Sequence, residues 1–337
     1  MPTISVIIKT LNEEEHVSKA ISSSLAAIAP YGGEVVVADS VSADRTMEIA
    51  LGYPITVIQL KNASERCCGI APQLGFQFSH GEFIYLLDGD MEMQGEFIAS
   101  ALKELDADPK LAGVGGFVQE MQVNNTEFVS RQKRQIKRKP ADRAYVDCLN
   151  GGGLYRRAAI ENARYFSDRN LHSFEEFELG ARLRAKGWKL MFLDRLSANH
   201  YGYTLNSYRL LWRRVESKYV YGSGEVLRAA IDGRFAAEAL RNLPVLRPAI
   251  GVWLYWSLVL IAILSVDSAW IRVLLLVLAA AAPVVAMTLK NGRSLNLGAY
   301  NVAAWHAVAF GLLMGFCRRR VDPTTPIEAR LIRTTGG

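Results

Sequence analysis

An α/β fold, with a mostly parallel sheet covered by helices on both faces and followed by amphipathic and then membrane-embedded helices, is what this sequence predicts. Three observations carry that expectation. Short, near-continuous apolar runs alternate with amphipathic segments of helical length over the first third of the chain. Polar side chains stand immediately after those runs, and the apolar excess of the 337 residues gathers at the C-terminal end.

The runs ISVII (4–8), EVVVA (34–38), ITVIQ (55–59) and FIYLL (83–87) have the composition of strands buried on both faces. In such sheets ligands collect beyond the carboxyl ends of the strands. Lys9, Thr10 and Asn12 follow the first run, Asp39 and Ser40 the second, and Asp88 and Asp90 the fourth, so one rim is expected to carry the site. A fifth run, LAGVGGFVQ (111–119), precedes a polar and basic stretch expected as helix or loop, and Gly151 to Gly153 open a strand and turn. SFEEFELGARLRAKGW reads as a helix with Ser173 as N-cap, acids in its first turn, bases later and Gly187 ending it. Residues 205–240, with Trp212, Tyr219, Tyr221 and several arginines, read as interfacial amphipathic helices.

No charge interrupts Ala249 to Val266 or Val273 to Leu289, and His306 is the only ionisable group from Ser294 to Cys317. Each run approaches the roughly 20 residues needed to span hydrocarbon. One such run alone would suit a buried core helix, but three with Trp and Tyr near their ends favour a membrane. Three full spans would place Arg318, Arg319 and Arg320 opposite the N-terminal domain, against the positive-inside tendency, so the third run is either a tolerated span or re-entrant. The apolar run at Ile4 to Ile8 is too short for a signal peptide and lacks a basic flank, which leaves the first 240 residues expected in the cytoplasm. Cys67, Cys68, Cys148 and Cys317 show neither a CxxC spacing nor a disulfide framework, in keeping with a reducing compartment.

The net charge of +6 is concentrated. Arg131 to Arg143 carries seven basic residues and one acid, and Arg209, Arg213 and Arg214 add three more. Without a nucleic-acid-binding motif beside them, these patches point to anionic headgroups or a lipid diphosphate, and no nucleic-acid partner is expected.

Asp88, Gly89 and Asp90 are either a plain turn or a pair of carboxylates emerging together at a strand end, an oxygen-rich set that suits Mg2+ or Mn2+. Asp39 heads a D-S-x-S-x-D-R-T stretch, where Ser42 can cap a helix containing Asp44 and Arg45, while a carboxylate at the strand tip suits a base or ribose. Glu175, Glu176 and Glu178 crowd one helix start, where the macrodipole alone would account for them or where one serves as general base. Glu178 and Arg182 have the spacing of an ordinary pair on a helix face. Glu176 points about 100° from Glu175 and need not share its surroundings. His200, beyond LMFLD, is either a surface or core histidine or a metal ligand.

Together these residues resemble the family 2 inverting glycosyltransferases of the GT-A fold, a Rossmann-like arrangement. ISVIIKTLNEEE is similar to the family's S-V-I-I-P-T-x-N-E-E, EVVVADSVSADRT to V-V-D-x-x-S-x-D-x-T, LLDGDME to its D-x-D segment, and EEFELGARLRAKGWKL to E-D-x-E-L-x-x-R-L-x-x-x-G-x-K. The resemblance implies that Thr10, Asn12, Glu13 and Asp39 hold the nucleoside of a nucleotide diphosphate sugar, expected as a UDP-sugar, with Arg66 also at the nucleotide. It implies that Asp88 holds the diphosphate and metal, with Asp90 and His200 as further ligands to Mn2+ or Mg2+. It gives Glu176 the place of the catalytic base, with Glu175 next to it. Lys9 stands where proline is usual, Pro72 and Gln73 replace an Arg-Asn pair, and Glu176 replaces aspartate.

The stretch YRLLWRRVESKYVYGSGEVLR and the apolar segments ending in AWHAVAFGLLMGF are similar to membrane-bound exopolysaccharide glycosyltransferases of the succinoglycan type. That implies a polyprenyl diphosphate-linked saccharide as acceptor, with Arg213 or Arg214 near it, and an integral protein of the cytoplasmic (inner) membrane. The expected division is a catalytic domain over 1–204, interfacial helices over 205–247, a membrane region over 248–318 and a tail over 319–337. The rival expectations are a polyprenyl phosphate glycosyl synthase and a catalytically silent membrane scaffold. An oxidoreductase is disfavoured because no GxGxxG follows the first strand.

Overall fold

A computed structural model describes residues 3–121, 143–149, 151, 153–202, 206–233, 235–290 and 294–334. The basic stretch from Arg131 lies outside the described residues as far as Asp142. The chain forms two units, Met1–Leu205 together with Arg320–Gly337, and Asn206–Arg319.

The first unit contains β1 (Ile4–Thr10), α1 (Val17–Ile28), β2 (Gly33–Asp39), α2 (Thr46–Leu51), β3 (Thr56–Leu60), α3 (Ile70–Gln77), β4 (Phe83–Asp88), β5 (Met91–Met93) and α4 (Gly95–Ala107). It continues with β6 (Leu111–Glu120), β7 (Arg143–Tyr145), β8 (Gly153–Arg156), α5 (Arg157–Asn162), α6 (Glu175–Ala185) and β9 (Lys189–His200). After the second unit the chain returns with β10 (Ala329–Arg333). These strands form one sheet in the order β10-β3-β2-β1-β4-β8-β6-β9-β5, with β7 on β9.

The sheet is mixed, where a mostly parallel one was expected. Strands β3, β2, β1 and β4 run parallel, and so do β6 and β9. Strand β8 enters antiparallel between β4 and β6, and β5, β7 and β10 pair antiparallel at the margins. Apolar runs report burial on both faces and not strand direction, which explains the difference.

Strand β1 is buried along nearly its whole length. Helix α1 presents Val17, Ala20, Ile21, Ser24, Ala27 and Ile28 to the core at helical spacing. On the other face, Ile7 packs in a cluster with Leu179 and Leu183 of α6 and with Phe166. Residues two apart on a strand share a face, so Lys9 lies on the side that α6 covers.

Helix α6 is anchored by a buried pair. Arg182 Nε donates to Glu178 Oε1 at 2.6 Å, and the guanidinium also donates to the carbonyls of Ala163, Tyr165 and Phe166. Tyr165 Oη donates to the same carboxylate oxygen at 2.9 Å. The pair expected on a helix face is thus formed, as a packed internal joint. The helix begins one residue later than expected: Phe174, in the left-handed region at φ 65°, is the N-cap, and Ser173 is not. At the far end Gly187, φ +83°, takes the left-handed turn that stops the helix, as expected of glycine there.

Of the segment 319–337, expected as a tail, residues 320–333 return to the first unit and add an edge strand to its sheet. Arg320 pairs with Asp168 at 2.7 Å, Arg169 donates to the carbonyls of Thr325 and Pro326, Ile327 is buried beside Ile58 and Leu74, and β10 hydrogen-bonds along β3.

The second unit holds α7 (Ser207–Glu216), a 3-10 turn at Tyr219–Tyr221, α8 (Gly222–Asp232), α9 (Ala236–Asn242) and three long apolar helices, α10 (Leu246–Leu264), α11 (Ala269–Lys290) and α12 (Leu295–Cys317). All three are long and apolar enough to cross a membrane.

Breaking one side of a buried ion pair strands the other charge, at a cost of about 3–5 kcal/mol. Arg182→Met should therefore lower the stability of the N-terminal unit by that order, read as a drop in its denaturant midpoint in detergent. An unchanged midpoint would show that the pair does not anchor α6.

Candidate active site

The register of β1 against its neighbours builds the rim. Thr10 lies beside Asp39 of β2, and Lys9 beside Asp88 of β4. Gly89 permits the close return of the chain here: a Cβ at this position would stand 2.8 Å from Glu13 Cγ and 3.0 Å from Thr10 Cγ2. The Gly89 amide donates to the Lys9 carbonyl at 2.9 Å.

Asp39 is fully buried and holds a loop together. Thr10 Oγ1 and Ser42 Oγ donate to Oδ1 at 3.0 and 2.5 Å, while the Ser42 amide and Gln59 Nε2 donate to Oδ2 at 2.9 and 3.0 Å. Those donors occupy the roughly four acceptor positions of a carboxylate. Ser42 is not the cap expected for α2, whose N-cap is Arg45. Instead Ser42 Oγ accepts from the Asn12 amide at 2.8 Å, and Asn12 Oδ1 accepts from the Ala43 amide at 2.7 Å. The Glu13 amide donates to Thr46 Oγ1 at 2.7 Å. Asn12 and Val41 have φ of 59° and 63°, and a β-branched residue there is a true outlier of the kind that gathers at functional sites. The Arg66 guanidinium donates to the Val41 carbonyl and so braces that turn.

Two charged clusters lie farther along the rim. In the first, the Lys9 ammonium stands 3.0 Å from Asp88 Oδ1 and 3.2 Å from Glu175 Oε1. Burial works against the charged amine, but Asp88 and Glu175 hold its pKa well above the usual lysine value. Glu176, expected to point away from Glu175, belongs to the same cluster electrostatically. Desolvation and the adjacent Glu175 charge, opposed by Lys9, push its carboxyl up to about 7. The reason is that both side chains open the helix behind the left-handed Phe174, beside a single cation. Burial and Glu175 likewise raise the Cys68 thiol, which stays protonated.

In the second cluster, β5 and β6 both pair with the end of β9, setting His200 opposite Met91 and Glu120. His200 Nε2 lies 3.2 Å from Asp90 Oδ2, and Nδ1 lies 2.5 Å from Glu120 Oε2. Burial pulls the imidazole down, yet the two carboxylates raise it to about 10. Asp90 is affected in reverse: burial would raise it, and the His200 hydrogen bond and charge hold it below the usual value. The histidine's stabilisation is thus full below its ordinary value of 6.5 and is lost as pH rises through about 10.

These residues can be tested against a divalent cation. Adjacent ligands each about 2.1 Å from an octahedral ion stand about 3 Å apart, so Asp90 Oδ2 and His200 Nε2 at 3.2 Å fit two such positions. Glu120, on the second ring nitrogen, is the carboxylate partner that orients a ligating histidine. Asp88 Oδ1 is buried without an aligned hydrogen-bond donor, but its nearest cation is Lys9. Among the described residues no three His, Cys, Asp or Glu side chains are placed so that together they could hold a metal ion. The arrangement suits an ion such as Mg2+, which keeps waters and substrate phosphate oxygens about it.

The first unit therefore gathers Thr10, Asn12, Glu13, Asp39, Arg66, Asp88, Asp90, Glu175, Glu176 and His200 at strand ends and helix starts of one sheet. Arg213 and Arg214 lie on α7 in the second unit, where Arg214 stacks on the Tyr219 ring at 5.1 Å. Glu120 was missed from sequence because it stands one residue beyond the apolar run. A carboxylate at a strand end was the available signal. Gln73, in place of the family's usual residue, accepts from the amides of Phe166 and Ser167 and so has a packing role.

Removing the Glu120 charge should let the His200 pKa fall from about 10 toward the ordinary histidine range. A pH titration of the ring signals by NMR in Glu120→Gln would show it, and an unmoved midpoint would mean that Glu120 does not support the imidazolium.

Residues 5–164 match the family model described as Glycosyl transferase family 2. The chain is 21% identical over 227 residues to a dolichyl N-acetyl-alpha-D-glucosaminyl phosphate 3-beta-D-2,3-diacetamido-2,3-dideoxy-beta-D-glucuronosyltransferase of Methanococcus voltae, covering 60% of this chain and 67% of that one. It is 29% identical over 129 residues to a dolichol-phosphate mannosyltransferase of Pyrococcus furiosus, a match that spans 37% of this chain and only 36% of the relative. Its fold is similar to that of a Pyrobaculum calidifontis mannosyltransferase solved with GDP-Man and Mn2+, with a TM-score of 0.58, 18% identity and coverage of 91% and 87% of the two chains. The match to the family 2 glycosyltransferase model thus falls within the first unit, and the mixed sheet that carries it has the GT-A fold.

Proposed function

We propose that this glycosyltransferase moves a sugar, with inversion, from a nucleoside diphosphate sugar onto a hydroxyl of a polyprenyl phosphate- or diphosphate-linked saccharide at a membrane surface, with its catalytic unit in the cytoplasm. A UDP-sugar donor and a place in exopolysaccharide assembly remain the working assignments within it. The observation that carries the reading is the Glu176 carboxyl, raised to about 7 beside Lys9, Asp88 and Glu175. A general base works best when its pKa lies near the working pH, and a hydroxyl acceptor needs one. The Methanococcus relative, by its name, transfers to a lipid-phosphate-linked sugar, and the three apolar helices suit a lipid-borne acceptor.

In this mechanism Glu176 takes the proton of the acceptor hydroxyl as the oxygen attacks the anomeric carbon from the side opposite the leaving diphosphate. No covalent sugar-enzyme bond forms. The Lys9 ammonium pairs with both Asp88 and Glu175, and the neighbouring Glu175 carboxylate raises the basicity of Glu176. Asp88, Asp90 and His200 would hold Mn2+ or Mg2+, which would supply Lewis-acid neutralisation of the departing diphosphate. Thr10, Asn12, Glu13, Asp39 and Arg66 shape the loop assigned to the nucleoside, and Arg213 and Arg214 are assigned to the acceptor's phosphate.

The base must be ionised, so kcat/KM should fall as pH drops below about 7 and level off above it. Glu176→Gln should lower kcat by about 10²- to 10⁴-fold and flatten that limb while leaving donor binding unchanged. Retained turnover would favour the second reading, a polyprenyl phosphate glycosyl synthase like the Pyrococcus relative, since an ionised phosphate acceptor needs no base. Asp90→Ala should abolish transfer and weaken Mn2+ binding in calorimetry while the protein stays in the membrane fraction, and undiminished turnover would remove Asp90 from the site. Failure of the intact protein to transfer from any of a panel of nucleotide sugars to extracted lipid-linked acceptors would instead leave a membrane scaffold.

A further inference from the structure

We infer that two of the three apolar helices cross the bilayer, α10 and α11 as a hairpin, while α12 lies along the membrane surface and returns the tail to the side of the catalytic unit. The inference rests on the membrane placement proposed above and not on the chemistry. Its first support is parity. The chain leaves the N-terminal unit beyond Gly202 and re-enters it at Arg320. The returning segment is held by polar bonds: Arg320 to Asp168 at 2.7 Å, a mutual pair between Asn170 and Val321 at 2.8 Å, and Ile327 N–H to Gln77 Oε1 at 2.9 Å, followed by β10 along β3. Both flanks thus belong to one folded body on one side of a membrane. The crossings between them are even in number, which excludes three.

The second support identifies the helix that does not cross. Within the second unit α12 is fastened along its length to residues 206–228. Near its start, Tyr208 Oη donates to the Asn296 carbonyl at 3.0 Å and the Tyr208 ring meets Tyr300 edge-on. Farther on the backbones touch: a Cβ on Gly311 or Gly315 would fall 2.2 or 2.0 Å from the carbonyl oxygens of Val220 and Tyr221. At its end, Arg318 pairs with Glu225 at 2.7 Å and Arg228 donates to the Phe316 carbonyl. The fastening segment carries Arg209, Arg213, Arg214, Glu216, Lys218, Glu225 and Arg228. A spanning α12 would drag those charges into hydrocarbon, which opposes them strongly.

Helix α12 also meets the base of the hairpin at two places. Gly298 packs on Thr288 near the end of α11, while Ala309 and Leu312 cluster with Leu246 and Ala249 at the start of α10. Between these, Trp256 Nε1 donates to His306 Nε2 at 2.7 Å. The other two helices have the length of spans: 19 and 22 residues extend about 28 and 33 Å at 1.5 Å per residue, against a core of about 30 Å. None of the residues of α11 is buried. Charge agrees as well. The end that carries the turn between α10 and α11 has one base, Arg272, whereas Arg241, Arg247, Lys290 and Arg293 flank the opposite ends, the distribution expected when those ends are cytoplasmic.

Labelling of the full-length chain with a membrane-impermeant maleimide tests this, each site being read separately by peptide mass spectrometry. Single variants would carry cysteine at three exposed positions: Ser268→Cys in the α10–α11 turn, Thr334→Cys in the tail and Glu48→Cys on α2 as a catalytic-side reference. Ser268→Cys should react in intact cells, and Thr334→Cys and Glu48→Cys only after permeabilisation. Reaction of Thr334→Cys in intact cells while Glu48→Cys is protected would restore three spans and overturn the inference. So would protection of Ser268→Cys until permeabilisation, because the hairpin would then not cross. The labelling reads sidedness alone, so loss of transfer in the Glu176 or Asp90 variants leaves it untouched, and either result here leaves the chemistry to its own assays.

Discussion

A cation held among carboxylates at the end of the central strand is the constraint on which the site depends. Lys9 sits in a strand otherwise buried on both faces, on the side covered by α6. Its ammonium reaches Asp88 at the end of β4 and Glu175 at the start of α6. Without that charge, two acids on neighbouring elements would repel each other in a poorly solvated cleft. With it they share one cation, and the next carboxyl along α6, desolvated and beside Glu175, has a raised pKa. An uncharged side chain at this place could supply none of this.

The second cluster depends on strand pairing. His200 is held between Asp90 and Glu120 because β9 pairs parallel with β6 and antiparallel with β5 at its last residues. A histidine with one nitrogen on a carboxylate presents the other in a fixed direction, and Asp90 lies there. The raised pKa of His200 favours a proton shared by the pair. A metal would compete with that proton, so acidity and cation binding are linked at this point. The neighbouring loop is held for a different reason: Asp39 spends its acceptor positions on Thr10, Ser42 and Gln59, fixing the strained turn at Val41 that Arg66 braces.

Much of this was legible in the order of residues. The four leading apolar runs became strands, the acids beyond them became the rim, and the uncharged C-terminal runs became three long helices, because burial and period are local properties of sequence. Family motifs placed Asp88, Asp90 and Glu176 before any geometry was known. Local pattern also misled. Ser42 has the look of a cap but ties Asp39 to Asn12, Ser173 stands one residue before the true cap, and Glu178 with Arg182 has surface spacing but a buried position.

What sequence alone determined, then, is which segments are buried, where they stop and which side chains stand at the stops. Tertiary structure decided what those side chains meet. Glu120 reaches His200 across 80 residues, Lys9 reaches Glu175 across 166, and the last strand returns antiparallel to β3, binding the tail to the body where the chain began. Strand direction, register and return of the chain are set by pairings between distant segments, and the energy of such a pairing belongs to neither segment by itself.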